Sequence, residues 1–403
     1  MRLAGRDFIV VGAGISGLAS AIALAQRGAE VRLYEQAFAL TEVGAGLQIG
    51  PNAVAVLEAL GLRDAAEQVA SLPEAIELRD LQTEKLVTRL ELGQVCVARY
   101  GRPYWHFHRA DLLEVLADGA KEAGVDIRLG ERVSSSTPLD ERDRCRVELE
   151  NGTTDEASCI VAADGLRSAM RRNHFSDRAA RFTGHVAWRG VVDERNLPAG
   201  LLPKSACVFM APKRHFVTYL LRGGTLRNFV AVEQREDWAV EGWMELDDPE
   251  NLRRAFAKSG PRVSAILDAV ETTFLWGLFD HPPMESWVSG HLALVGDACH
   301  PTLPFLAQGA AMGLEDAWVL GAELATAQDI STGLHAFESR RKPRATRIQR
   351  ASAQAGRIYH LPAGVRSLAH LGMSAMSIVR PTAMLGKFDW LYGADLVSAQ
   401  ASH

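Results

Sequence analysis

One turn constrains this chain more than any other feature. Asp7 to Val11 is a short apolar run of strand type, and it leads into Val11-Gly12-Ala13-Gly14-Ile15-Ser16-Gly17. An Ala/Leu/Ile-rich stretch from about Ser16 to Arg27 then reads as a helix. Gly28 stops that helix, Glu30 to Tyr34 reads as a second strand, and Glu35 follows Gly17 by 18 residues. Each glycine has a physical reason. Gly12 permits the tight turn, Gly14 lets a pyrophosphate approach the backbone, and Gly17 lets the helix lie close on the strand. The helix N-terminus then faces the phosphates, and Glu35 can accept from ribose hydroxyls. An acid there favours an adenosine with a free 2′-hydroxyl, as in FAD or NAD. Glycines alone are a weak signal, and a plain turn at a helix start is the alternative. With strand, helix and acid in register, a dinucleotide-binding βαβ start is expected.

Composition narrows the remaining classes. The chain has 403 residues with 47% apolar and 23% charged, ordinary proportions for a globular protein of roughly two to three domains. The formal charge of −5 leaves no basic footprint, so no nucleic-acid partner is expected. Five cysteines, an odd number without any CxxC spacing, argue against a disulfide framework and a zinc site, so no metal is expected and a reducing cytoplasm fits. Phe8 to Gln26 is uncharged and follows Arg2 and Arg6, which mimics a signal peptide, but its glycines sit at the dinucleotide spacing. The stretch Leu361 to Leu385 is interrupted by Arg366, His370 and Arg380 and reads as packed helices, so no membrane span is expected.

Along the chain, Ala53 to Leu60 and Asp111 to Ala123 have helical periodicity, and Ile76 to Leu92 alternates like paired strands. Val125 to Leu129, Arg146 to Leu149 and Ser158 to Ala162 read as strands, with Asn151-Gly152 as a hairpin turn. From about Ala180 to Phe279 strand-like runs dominate: His185 to Val192, Ala206 to Met210, His215 to Leu221 and Asn228 to Val232, with one helix near Pro249 to Ala257. Leu292 to Val295 is a further strand and Gly309 to Ala325 a helix. The expected fold class is α/β. A Rossmann-like nucleotide-binding domain (1–75, 100–175 and 284–360) is interrupted by a β-rich, mostly antiparallel substrate domain (76–99 and 176–283), and 361–403 is a C-terminal helical segment.

Three further segments carry a family resemblance. They are His108-Arg109-Ala110-Asp111-Leu112 before a helix, Val161-Ala162-Ala163-Asp164-Gly165-Leu166-Arg167-Ser168, and Ala293-Leu294-Val295-Gly296-Asp297-Ala298-Cys299-His300-Pro301. With the glycine turn in front, their order resembles the single-component, class A FAD-dependent aromatic hydroxylases along nearly the whole chain. Gly44-Ala45-Gly46-Leu47-Gln48-Ile49-Gly50-Pro51-Asn52, Val186-Ala187-Trp188-Arg189-Gly190, Pro304-Phe305-Leu306-Ala307-Gln308-Gly309-Ala310 and Asp389-Trp390-Leu391-Tyr392-Gly393 look like segments of the salicylate, 3-hydroxybenzoate and 6-hydroxynicotinate enzymes. The resemblance implies FAD as cofactor, NADH or NADPH as a transient co-substrate without its own Rossmann domain, O2, and a small aromatic substrate hydroxylated through a flavin C4a-hydroperoxide. It implies that Gly12, Gly14, Gly17 and Glu35 hold the adenine half, with Gly46 and Gln48 close to the flavin. Arg109 would pair with the pyrophosphate or flavin side, Asp297 would accept from a ribityl hydroxyl, and Asp164 would bridge the FAD region and the nicotinamide approach. The amides at Gly309 and Ala310 would face the flavin ring, where a helix N-terminus stabilises negative charge. A monomer or homodimer is expected.

For the reacting pocket, a phenol reacts faster as the phenolate, so a base near the substrate hydroxyl helps. His215 and Tyr219 in His215-Phe216-Val217-Thr218-Tyr219 lie four residues apart and so on one strand face. The resemblance gives relatives a similar pair. His215 is the expected base, matched to neutral pH, and Tyr219 an orienting partner; a water-facing histidine and a core tyrosine are the plain alternatives. Arg189 is a candidate for a substrate carboxylate, and Gln308 and Cys207 are candidates to contact the substrate. His300 reads as structural. An epoxidase, an oxidase, a hydroxylase of N-heteroaromatic or larger polycyclic rings, and a flavin-fold binding protein are the competing readings.

Overall fold

The computed structural model describes residues 3–40, 46–139, 144–175, 180–236, 245–379 and 383–398; Gly44 and Ala45 lie outside them. The strand Asp7–Val11 sits inside a six-stranded sheet. Its order is Val288–Ser289, Leu292–Leu294, Cys159–Ala162, Asp7–Val11, Glu30–Glu35, Asp126–Leu129. All pairs are parallel except that of Val288–Ser289. A parallel sheet is covered on both faces, so its strands read as unbroken apolar runs; Phe8, Ile9, Val10, Ile160 and Val161 are fully buried. The helix Ile15–Ala25 packs on this sheet and against the helices Arg109–Glu122 and Gly309–Thr326. Chain order and sheet order part at Asp7–Val11, whose neighbours are the next strand on one side and Cys159–Ala162 on the other. Such a switch point opens a crevice at the carboxyl ends of the strands.

The second sheet has eight strands in the order Glu245–Asp247, Thr273–Asp280, Arg181–Asp193, Leu226–Gln234, Arg214–Leu221, Ala206–Ala211, Ala75–Asp80, Leu86–Glu91. Every pair is antiparallel except Ala206–Ala211 with Ala75–Asp80. Its outer face buries Trp188, Phe209, Phe216 and Phe229 against Leu252, Phe256, Val263 and Ile266. Two helices and the residue that caps the first supply those partners, Pro249–Ala255 with Phe256 and Pro261–Asp268, where the sequence suggests one helix. Gly260-Pro261 makes the break: proline is favoured at the first turn of a helix and cannot continue one. The strand Arg181–Asp193 runs longer than the apolar stretch within it and carries a register shift between Phe182 and Val186.

The helix Ile330–Tyr359 is the longest in the molecule among the described residues, and periodicity does not pick it out. Its sequence is rich in arginine and contains Pro343, so the apolar stripe (Leu334, Phe337, Ala345, Ile348) is diluted. Among the described residues no helix is long and apolar enough to cross a membrane. All five cysteines are buried free thiols.

Candidate active site

The glycine turn has the form its sequence predicts. Gly12 has φ +99°, and a Cβ there would lie 2.6 Å from the Ala163 carbonyl oxygen. A Cβ on Gly17 would lie 1.9 Å from the Gly12 carbonyl oxygen, so only glycine lets this helix start against the turn. A Cβ on Gly14 would meet nothing within 4 Å, so the backbone at the helix N-terminus is open to an approaching group. Glu35, at the end of its strand, accepts from the Ala13 amide at 2.7 Å and the Ala37 amide at 2.9 Å. The carboxylate therefore closes the turn through these two amides.

Two other strands of this sheet, Cys159–Ala162 and Leu292–Leu294, run parallel to Asp7–Val11 and end on the same side. Asp164 follows Cys159–Ala162; one of its oxygens accepts from the Met170 amide at 3.1 Å, while Oδ1 is buried with no hydrogen-bond partner. Asp297 follows Leu292–Leu294 and keeps accessible surface although protein surrounds it. Burial raises the pKa of its carboxyl, against the pull of His300, Arg109 and Arg171. Arg109 begins its helix, directly after the strand Trp105–His108. Burial lowers the pKa of its guanidinium, with Asp297 as the opposing charge. Gly309 and Ala310 open the helix Gly309–Thr326, and a Cβ on Gly309 would touch only the Thr302 methyl at 3.7 Å. An open helix start, an unpartnered carboxylate oxygen and two glycines with open space in front of them suit an elongated anionic dinucleotide.

The inner face of the eight-stranded sheet looks toward these segments. Cross-strand register arranges it in three rows. Trp276, Ala187, Val232, His215 and Met210 form one row. Arg189, Val230, Val217 and Val208 form the next, and Val191, Asn228, Tyr219 and Ala206 the third. His215 and Tyr219 thus share a face, as their spacing predicts, but they meet different neighbours. Tyr219 lies against the short hairpin Gly46–Ile49 with Trp105–His108: its ring is 4.5 Å from that of His106, and a Cβ on Gly46 would fall 2.5 Å from it. Gly46 is glycine here to make room for Tyr219. Gln48 accepts from the Tyr104 hydroxyl at 2.9 Å and also bonds Tyr219, so it belongs to this tyrosine wall. Burial raises the Tyr219 hydroxyl pKa well above its ordinary value.

His215 sits among Phe305, Tyr359 and His360, and its Nδ1 lies 2.7 Å from Nε2 of His360. Burial, and then His360 and His185, hold His215 well below the usual histidine range, so its imidazole is neutral at pH 7. Arg189 spreads its guanidinium 4.5 Å over the Trp276 ring. Burial, with neighbouring Arg109 adding to it, brings its pKa down to about 10, still fully charged at neutral pH.

Two expectations change. Cys207 does not share this face. It pairs with Thr218, one residue out of phase with His215 and Tyr219, and its thiol lies in the outer cluster, 3.9 Å from Glu77. A strand's side chains alternate, so Cys207 falls on the face opposite His215 and Tyr219. Gln308 is buried at the start of Gly309–Thr326 with both ends of its amide engaged, accepting from Asn52 at 3.3 Å and donating to the Leu306 carbonyl at 3.4 Å. Its geometry is that of a brace for the turn.

The sequence reading missed His106, His185 and His360. None lies in a motif; pairing and helix ends bring them here. His300 is buried and bonded to Asp316, which also takes Arg341 Nε at 2.8 Å and the Gly296 amide at 2.9 Å. Cys299, His300 and Asp316 come close enough to ligate a metal, but Arg341 already supplies the cation at that carboxylate.

Comparison with known proteins agrees with this arrangement. The family described as FAD binding domain matches residues 6–352. The 3-amino-4-hydroxybenzoate 2-monooxygenase PtnB3 of Streptomyces platensis is 37% identical over 392 residues, covering 95% of each chain. The 3-hydroxybenzoate 6-hydroxylase of Polaromonas naphthalenivorans is 34% identical, covering 96% of this chain and 95% of its own. The crystal structure of a variant of Klebsiella pneumoniae HpxO complexed with FAD superposes with a TM-score of 0.84 at 26% identity, covering 97% of this chain and all of that one. The chain belongs to the FAD-binding family of flavin-dependent aromatic monooxygenases.

Proposed function

We propose that this enzyme hydroxylates a small hydroxylated aromatic acid of the hydroxybenzoate type, with NAD(P)H and O2 as co-substrates. The observation that carries this reading is one sheet face bearing a cation, a neutral imidazole and a phenol in three adjacent rows: Arg189, His215 and Tyr219. FAD, when bound, accepts hydride from NAD(P)H and activates O2 for transfer of one oxygen atom to the ring. Gly12, Gly14 and Gly17 would hold its pyrophosphate, Glu35 its adenosine ribose, and Asp297 its ribityl chain. Arg109, Asp164 and the amides of Gly309 and Ala310 would line the remainder, with Gly46 and Gln48 bordering it on the tyrosine wall.

The substrate then lies between this cofactor edge and residues from 76–99 and 176–283. Arg189 pairs with its carboxylate, which suits a guanidinium's fork of donors. His215 takes the proton of the ring hydroxyl on a ring nitrogen, which makes the ring more electron-rich, and Tyr219 orients the same hydroxyl. Val208, Val217, Val230 and Phe305 supply apolar walls that exclude water from the reacting atoms. The buried free thiols are consistent with a reducing cytoplasm.

The test is a panel of hydroxybenzoates, hydroxypyridines and quinolones, scored for stimulated NADH and NADPH oxidation and for hydroxylated product. Stoichiometric product from a hydroxybenzoate is expected. Oxidation that ends only in H2O2 with every phenol, or product from the heterocycles alone, would overturn the proposal.

A further inference from the structure

We propose that His360 is the positioning residue of the reaction: it fixes the proton of His215 on Nδ1 and so leaves Nε2 to take the proton of the substrate hydroxyl. The inference rests on the reading of His215 as base. The two rings are 4.9 Å apart at 45°, with His215 Nδ1 and His360 Nε2 separated by 2.7 Å. One proton occupies that contact. If His360 donated it, neutral His215 would carry its own proton on Nε2 and could accept nothing from a substrate. If His215 donates it, Nε2 holds the lone pair.

The position of His360 favours the second arrangement. It caps the C-terminus of Ile330–Tyr359, with its amide bonded to the Gly356 carbonyl at 3.2 Å. The last carbonyls of a helix carry partial negative charge and stabilise a developing cation beside them. As His215 Nε2 gains the substrate proton, its Nδ1 proton is drawn toward His360 Nε2. The O–H bond of the substrate breaks, an N–H bond forms on Nε2, and the positive charge spreads over two imidazoles at a helix C-terminus.

The surroundings suit a pair that rests neutral. The titratable groups facing His215 are His360 and Tyr359 from the helix end and His185 from Arg181–Asp193, two strands along the sheet. Arg214, the preceding residue in sequence, points to the other face and is paired with Glu233 at 2.7 Å. Burial, followed by His185, brings His360 down to about 3. His185 is itself held by Thr183, whose carbonyl lies 3.0 Å from Nδ1. Phe305 packs edge-on to both His185 and His215, which limits rotation of either ring.

The experiment uses full-length holoenzyme with three substitutions, His360→Leu, His360→Gln and His215→Gln. Nitrogen-15 spectra of histidine-labelled protein, with the His215 signals assigned by their loss in His215→Gln, read the tautomer without any substrate. The proton of wild-type His215 is expected on Nδ1, and in His360→Leu the two tautomers should mix. With the hydroxybenzoate that best stimulates NADH oxidation, His360→Leu should lose on the order of 10-fold in the hydroxylation rate and leak more H2O2. Its FAD content and its rate of flavin reduction should stay at the wild-type level. His360→Gln should recover most of that loss, because its amide oxygen can reach the place of Nε2 and accept the same bond. A wild-type His215 with its proton on Nε2 would overturn the proposal. So would full hydroxylation by His360→Leu beside an impaired His215→Gln, or an equal loss in His360→Leu and His360→Gln. Full hydroxylation by His215→Gln would instead overturn the base reading on which this one rests.

Discussion

The glycine turn and the proposed substrate face are built on opposite principles. In the turn, everything needed lies within a few residues: Gly12, Gly14 and Gly17 are spaced by local backbone geometry, and the closing acid is one strand away. On the substrate face, Arg189, His215 and Tyr219 come from two strands separated by a third, and the groups facing them from two distant segments. A local site breaks by steric clash at single atoms. A register-built site depends on which way each side chain points, and on strands holding their alignment.

The largest effect should come from the turn. In Gly17→Ala the new Cβ would lie 1.9 Å from a backbone oxygen that cannot yield, so the purified protein should be colourless, with no visible flavin absorbance. A yellow Gly17→Ala protein would mean that the turn can shift to admit a methyl group. On the other face, His215→Ala should retain FAD and its reduction by NADH while hydroxylation falls about 100-fold, measured as product per turnover with H2O2 making up the difference. Asp297→Ala lies between, at the cofactor edge away from the glycines. Loss of one charged acceptor, about 1.5–3 kcal/mol, should weaken FAD retention roughly 10- to 100-fold, read by flavin fluorescence on dilution.

Acid should act through the buried histidines beside the inner sheet face. His106 and His215 are both 2% exposed, and burial lowers the pKa of each, His106 to about 3. A histidine depressed in the folded state takes up a proton on unfolding, so its stabilising contribution is full above the unfolded value near 6.5. It is lost as pH falls below that value, by at most about 1.4 kcal/mol per pH unit for each group. The melting temperature should therefore fall steadily from pH 7 to pH 5, and His215→Gln should flatten that slope. An unchanged slope would show that His215 does not rest neutral. The smallest effect is expected at Cys207, on the far side of the sheet. Cys207→Ala should hydroxylate within about 2-fold of wild type and lose only about 1 kcal/mol of stability in urea; a larger loss of turnover would put its thiol in contact with the pocket after all.

The legible parts of the site share one property. Gly12, Gly14, Gly17 and Glu35 sit at strand ends and a helix start, where short-range sterics decide residue type, whereas Asp297 is legible only through the family resemblance. The His215 and Tyr219 pairing was legible as well, because a strand's period of two is itself local. The face of Cys207 was not legible, because the phase between neighbouring strands depends on the turn that joins them. His106, His185 and His360 carried no signal, since nothing adjacent to them in sequence differs from an ordinary strand or helix end. The helix Ile330–Tyr359 was hidden in the same way: its interior arginine, Arg341, is fully buried only because Glu315 and Asp316 of another helix neutralise it at 2.7 and 2.8 Å.

By itself, then, the amino-acid order determined that a glycine-rich turn between a strand and a helix begins the fold and that a β-rich region interrupts it, because both follow from interactions a few bonds long. Only the tertiary structure decided which side chains share the inner face, that Gln48 and Gly46 serve the tyrosine wall, and that a histidine from the end of a distant helix sits 2.7 Å from His215. Those relations depend on strand register and helix packing, which are settled by burying apolar surface across the whole chain at once.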